Sequence, residues 1–78
     1  MLEEREVLRA ISVALQDPNF DLQSSTENNE NWDSLGELTI LATLAKLTSG
    51  KSDEIPDLFN ISSAIELIIK LRENGLVK

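Results

Sequence analysis

Apolar residues recur at Val7, Leu8, Ile11, Ala14 and Leu15, the i, i+1, i+4, i+7, i+8 spacing of an amphipathic helix, and predict a first helix over 2–15. Glu3, Glu4 and Glu6 fall at its N-terminal end, where the helix dipole favours negative charge. Asp17-Pro18 ends the pattern, because the residue before a proline is pushed out of the α region. Residues 16–33 are then rich in Asn, Ser, Asp and Glu, whose side chains compete with the helix for backbone groups, and they predict a long loop. Phe20, Leu22 and Trp32 are its large apolar side chains and are expected to pin it onto the helices, with residues 23–31 mobile.

From Ser34 the helical period resumes and runs to Thr48-Ser49-Gly50, where glycine suits a left-handed cap. At 100° per residue, Ile40, Leu44 and Leu47 lie on one side of this helix, and Leu35, Leu38, Leu41, Ala42 and Ala45 on roughly the other. Only one broad face can point at a small core, so the second is either wedged between neighbouring helices or left available to a partner. Pro56 is tolerated in the first turn of a short helix, with Leu58 and Phe59 expected inward. A last helix starts at Ser62 or Ser63, with Ser63 and Glu66 at capping-box spacing, and runs to Asn74-Gly75 with Ala64, Ile65, Ile68 and Ile69 as its expected buried stripe. No strand alternation and no repeat is present in the pattern. The expected fold is all-α, three long helices and one short one, in a single domain over 1–78.

Composition narrows the functional classes. A chain of 78 residues buries only roughly 60% of its unfolded surface. It has no Cys and no His, which excludes disulfides, thiolate metal sites and His-based proton relays. A formal net charge of -7 disfavours phosphate backbones, so no nucleic-acid partner is expected. No apolar run approaches the roughly 20 residues that span a bilayer, and the expected location is cytoplasmic, without membrane insertion. At 41% hydrophobic and 27% charged, the chain falls in the globular rather than the disordered class.

The chemistry-bearing segment is Asn31-Trp32-Asp33-Ser34-Leu35, where the loop meets the second helix. Asp33 and Ser34 are both good N-caps, and Ser34 with Glu37 has S-x-x-E spacing, so helix initiation alone is one reading. The other is that the Ser34 hydroxyl carries a phosphate ester, because a helix N-terminus offers free N–H groups and positive dipole charge to an anion. An acid–base enzyme would need paired carboxylates, and Asp33 with Glu37 is the only close pair near a plausible cleft. Calcium spacing of the D-x-[DN]-x-[DN]-G kind does not occur, and no metal site is expected.

With Asp33-Ser34-Leu35 opening the second helix, Trp32 just before it, Ile55-Pro56-Asp57 introducing a short third helix and Ile61-Ser62-Ser63 opening the fourth, the chain resembles the acyl carrier proteins over almost its whole length. That resemblance implies a four-helix bundle and a covalent 4′-phosphopantetheine, derived from coenzyme A, on Ser34. It implies a carrier of thioester intermediates for fatty acid, polyketide or related biosynthesis, not itself an enzyme and expected as a monomer. Its partners would be a phosphopantetheinyl transferase and acyl-loading and acyl-transferring enzymes. Asp33 and Leu35 would flank the attachment point, and Leu35, Glu37, Leu38, Leu41, Ala42 and Ala45 would face partners. An acyl pocket would be lined by Ile40, Leu44, Ile55, Phe59, Ile61, Ile65 and Ile68.

The charge distribution departs from that family's acidic second helix. Residues 1–31 hold seven acids and two bases, whereas residues 32–50 hold two and one and residues 51–78 five and four. More hydrophobic, dedicated partner contacts are therefore expected. Gly36, a poor helix former directly after the motif, is expected to admit a partner or the arm at close range. The rival reading keeps Ser34 unmodified and makes the chain an interaction module acting through the apolar face of its second helix.

Overall fold

The computed structural model describes residues 2–78 and is all-α among them, with helices α1 (Glu4–Leu15), α2 (Ser34–Leu47) and α3 (Ala64–Glu73). α1 starts two residues later than the pattern predicts because Glu3 takes the cap, its backbone N–H donating to Glu6 Oε1 at 3.1 Å. Leu2 instead forms an isolated parallel bridge with Val77, donating to the Leu76 carbonyl at 3.3 Å and accepting from the Lys78 amide at 2.8 Å. α1 closes at Gln16, a left-handed residue, one position before Asp17-Pro18. At the end of α2, Ser49 and Gly50 both have positive φ, and the Gly50 amide returns to the Ala45 carbonyl at 2.8 Å.

α1 and α2 pack against each other and run antiparallel, since Ala14 and Leu15 share a groove with Leu35 and Gly36 while Leu2 and Glu6 share another with Leu47 and Thr48. Val7, Ile11 and Leu15 from α1 meet Ile40 and Leu44 from α2 in the core, with Leu8 partly buried beside them. Leu47 is only half-buried. Of the two apolar faces of α2, the one through Ile40 and Leu44 is therefore the inner one.

Where a short helix was expected, the chain makes two 3₁₀ turns, Lys51–Glu54 and Leu58–Asn60. Pro56 explains the break: Ile55, the residue before it, is extended, and Asp57 after it is left-handed with φ 61°. Side chains three apart eclipse in a 3₁₀ turn, so Leu58 and Ile61 both point inward. Phe59 is turned out to 63% exposure, contrary to the inward position expected of it.

The last helix corrects a second expectation. Its buried stripe is Ala64, Leu67, Ile68 and Leu71, at i, i+3, i+4, i+7, while Ile65 and Ile69 are 42% and 47% exposed. Both stripes are apolar in the sequence, and the start of α3 is anchored in one rotation. Ser63 caps it by accepting from the Glu66 amide at 3.2 Å, and the Ala64 amide donates to the Ser24 carbonyl at 2.9 Å. At its other end Arg72 meets Glu4 at 3.2 Å, an exposed pair that adds little by itself but lies beside the Leu2–Val77 bridge.

Among the described residues no helix is long and apolar enough to cross a membrane. The α3 register is testable with neighbouring residues. Ile68→Ala is expected to cost about 2–5 kcal/mol in urea denaturation, and Ile69→Ala less than about 1 kcal/mol, because only Ile68 leaves a cavity behind.

Candidate functional site

Residues 16–33 contain no helix, and their turns are built largely from Asx and Ser side chains. The segment expected to be mobile holds two buried polar residues, Ser24 and Asn29. Asn29 Nδ2 donates to Asp17 Oδ2 at 2.6 Å while its Oδ1 accepts from the Asn31 amide at 2.9 Å. Asn31 Nδ2 in turn donates to the Leu15 carbonyl at 3.2 Å, one of the acceptors that the end of α1 leaves open. The end of the loop is thereby fastened to the end of α1. Phe20 and Trp32 sink into the core beneath it, with ring centroids 5.7 Å apart and planes tilted by 46°. The buried indole Nε1–H of Trp32 has no hydrogen-bond partner among the described residues, a cost of about 1–3 kcal/mol that the burial of the two rings offsets.

This fastening delivers Asp33 and Ser34 to the start of α2 in fixed roles. Asp33 is the cap: its Oδ1 accepts from the Gly36 amide at 2.8 Å and its carbonyl from the Glu37 amide at 2.8 Å. Ser34 is the first helical residue, is exposed, and its hydroxyl makes no hydrogen bond among the described residues. The backbone N–H groups of Ser34 and Leu35 likewise have no acceptor there. The two cap candidates are thus separated, with Asp33 initiating the helix and Ser34 presenting a free hydroxyl at its positive end. That arrangement fits a phosphate ester on Ser34.

Gly36 has a different cause from the one expected. A Cβ there would overlap the backbone carbonyl oxygen of Asn31, so the close approach it permits is made by the chain's own loop and not left for a partner. Around it the outer face of α2 is open: Leu35 and Leu38 are 73% and 64% exposed, Ala42 is exposed, and Glu37, Leu41 and Ala45 are half-buried.

Of the residues expected to line an acyl pocket, Ile40, Leu44, Ile55, Ile61 and Ile68 are together in the core. Phe59 and Ile65 are outside it for the reasons given above. Grooves open at the surface among the described residues. One of about 230 Å³ lies between the end of α1 and the start of α2 and is lined by Ala14, Leu15, Asn31, Asp33, Leu35, Gly36 and Thr39, with Ser34 outside its lining. One of about 180 Å³ lies between Leu41 and the two 3₁₀ turns and includes Ile55 and Phe59. Another, of about 460 Å³, lies at the opposite end of α2, between Leu47 to Lys51 and the paired terminal segments. Among the described residues no group of three or more acidic side chains is placed to hold a metal ion.

Asn29 and Thr39 belong to the surroundings of the α2 start without any signal in the sequence pattern that singles them out, and Asn31, the first residue of the chemistry-bearing segment, carries no signal of its distant partner. Their Asx and Thr character is visible, but the partners of Asn29 and Asn31 lie 12 and 16 residues away. Comparison of the chain with protein-family models, with curated proteins and with solved structures finds no match.

The division between cap and free hydroxyl predicts unequal effects on stability. Asp33→Ala is expected to cost about 0.5–2 kcal/mol in denaturant unfolding. Gly36→Ala gains helix propensity but must displace the Asn31 carbonyl, and a net loss of about 1–3 kcal/mol is expected, with amide shift changes at Asn31 and Trp32.

Proposed function

We propose that this chain is an acyl carrier protein, bearing 4′-phosphopantetheine on Ser34 and presenting thioester-bound acyl or related groups to biosynthetic enzymes. The observation that carries the reading is the exposed Ser34 hydroxyl, unbonded at the first position of α2 because Asp33 has taken the capping role. When bound, the group supplies a terminal thiol, a nucleophile that a chain without cysteine lacks. The chain's own residues supply position. Ser34 would provide the ester oxygen, the free amides at the start of α2 would be available to the phosphate, and Asp33 holds the first turn of α2 from which both are presented.

The proposed fold is the four-helix type, with the two 3₁₀ turns standing where a carrier has its short third helix. Leu35 and Leu38, exposed next to Ser34, form with Glu37, Leu41, Ala42 and Ala45 the surface that partner enzymes would cover. Those partners are a phosphopantetheinyl transferase and enzymes that load or transfer acyl groups. The protein itself is proposed to be a non-catalytic cytoplasmic monomer without nucleic-acid partners.

The exposure of Leu35 and Leu38 favours one other reading, an unmodified interaction module that uses the same face of α2. A single experiment separates the two. The purified protein is incubated with coenzyme A, Mg²⁺ and a broad-specificity phosphopantetheinyl transferase, and intact masses are compared with those of Ser34→Ala. A gain of one phosphopantetheine is expected in the wild type and none in the variant. Ser34→Ala is expected to unfold within about 0.5 kcal/mol of the wild type, since its side chain holds no cap. An unmodified wild type with its helices intact would sink the carrier reading and leave the interaction module.

A further inference from the structure

Of the six asparagines in the chain, only Asn74 is followed by a glycine. Asparagine is thermolabile because the backbone nitrogen of the next residue can attack its side-chain amide, and a glycine, with no Cβ, hinders that attack least. We infer that Asn74-Gly75 is a site of spontaneous deamidation, held inactive by the C-terminal closure of the fold and reacting when that closure opens. The only co-reactant is water, and nothing is required of Ser34. The Gly75 nitrogen loses its proton and bonds to Asn74 Cγ, the Cγ–Nδ2 bond breaks, and Nδ2 leaves with that proton as ammonia. Water then opens the five-membered imide at either carbonyl, giving aspartate on the ordinary backbone or isoaspartate with the backbone routed through Cγ.

The folded geometry opposes the first step. Asn74 has φ -96° and ψ 9°, which turns the Gly75 nitrogen away from the Asn74 Cβ, whereas ring closure needs the two on the same side of the Cα–C bond. The Gly75 amide donates to the Arg72 carbonyl at 3.0 Å and the Leu76 amide to the Leu71 carbonyl at 2.9 Å. With Gly75 left-handed at φ 75°, these two bonds make a Schellman turn that fixes the ψ of Asn74. The side chain is engaged as well, Nδ2 donating to the Lys70 carbonyl at 2.9 Å. Beyond the turn, the segment is pinned by Val77 in the core, by the Leu2–Val77 bridge and by Arg72 Nε, which donates to the Lys78 carbonyl at 2.7 Å. Rotating Asn74 into the reactive conformation pulls residues 75–78 off these contacts, so the rate of conversion measures how often the closure opens. Once aspartate is formed, a carboxylate replaces the donor that faced the Lys70 carbonyl, at the negative end of α3, and the closure is weakened.

The test follows deamidation of the full chain by peptide mapping in mildly alkaline buffer, native and in guanidinium chloride, and reads the ratio of the two rates. The peptide carrying Asn74 is expected to convert first in the denatured chain, and more than about tenfold more slowly in the native one. Asn74→Gln is expected to leave that peptide unconverted. Arg72→Ala, which frees the Lys78 carbonyl, and Val77→Ala, which withdraws the core anchor, are each expected to bring the two rates several-fold closer while the helical spectrum stays native. Should Val77→Ala fail to fold, the exposed Arg72→Ala decides. Asn74→Asp is expected to speed amide exchange at Gly75, Leu76 and Lys78. Earlier conversion at another asparagine overturns the site. Equal native and denatured rates, or a ratio unchanged in the folded variants, overturns the gating, and unchanged exchange in Asn74→Asp overturns the weakening.

Discussion

In a chain of 78 residues without disulfides the three helices do not close the core by themselves, and the non-helical segments supply part of it. Phe20 and Trp32 come from the long loop, Ile55, Leu58 and Ile61 from the two 3₁₀ turns and their flanks, and Val77 from the C-terminal segment. Each of these segments is consequently tied down by backbone or Asx hydrogen bonds where it enters. The Leu2–Val77 bridge closes one end, the Ser25–Ser63 bridge fastens the loop to α3, and Asn29 and Asn31 fasten it to α1. Packing and polar satisfaction are coupled here: a loop that contributes an indole to the core must also find partners for the backbone it brings along.

The geometry at Ser34 is a by-product of that coupling. The Asn31 carbonyl lies so close to α2 that only glycine fits at position 36, and the same approach sets Asp33 where its carboxylate reaches the first turn. Ser34 is left at the surface with no structural task. A hydroxyl free of local bonding, next to unpaired helix amides and exposed leucines, is chemically available in a way that a capping serine is not. The large net negative charge adds a long-range bias toward basic partners, although most of it sits on α1 and the loop, away from the outer face of α2.

The apolar character of both faces of α2 makes sense in the same frame. One face, through Ile40 and Leu44, is fully used by the core, and the opposite face through Leu35 and Leu38 is left in water. On a small protein two neighbouring exposed leucines are costly for solubility, a cost that the partner surface proposed above would relieve when covered.

The spans of the three long helices to within two residues, the loop limits and the Ser63 cap were legible from the sequence because they depend on local physics: period 3.6, a proline at position 18, a serine three residues before a glutamate. Asp33-Ser34 was legible as a helix start, but not which of the two is the cap, since both side chains suit the position. Tertiary structure decided that, along with the rotation of α3 and the outward turn of Phe59. Ile65 and Leu67 are equally apolar, and only the anchoring of Ser63 and Ala64 against the loop selects which is buried. It also decided the meaning of Gly36 and the surroundings of the first turn of α2, because Asn31, Leu15 and Thr39 meet there through contacts between segments far apart in the chain. Local periodicity carries information about which residues share a face; which face turns inward is set by the other elements that pack against it.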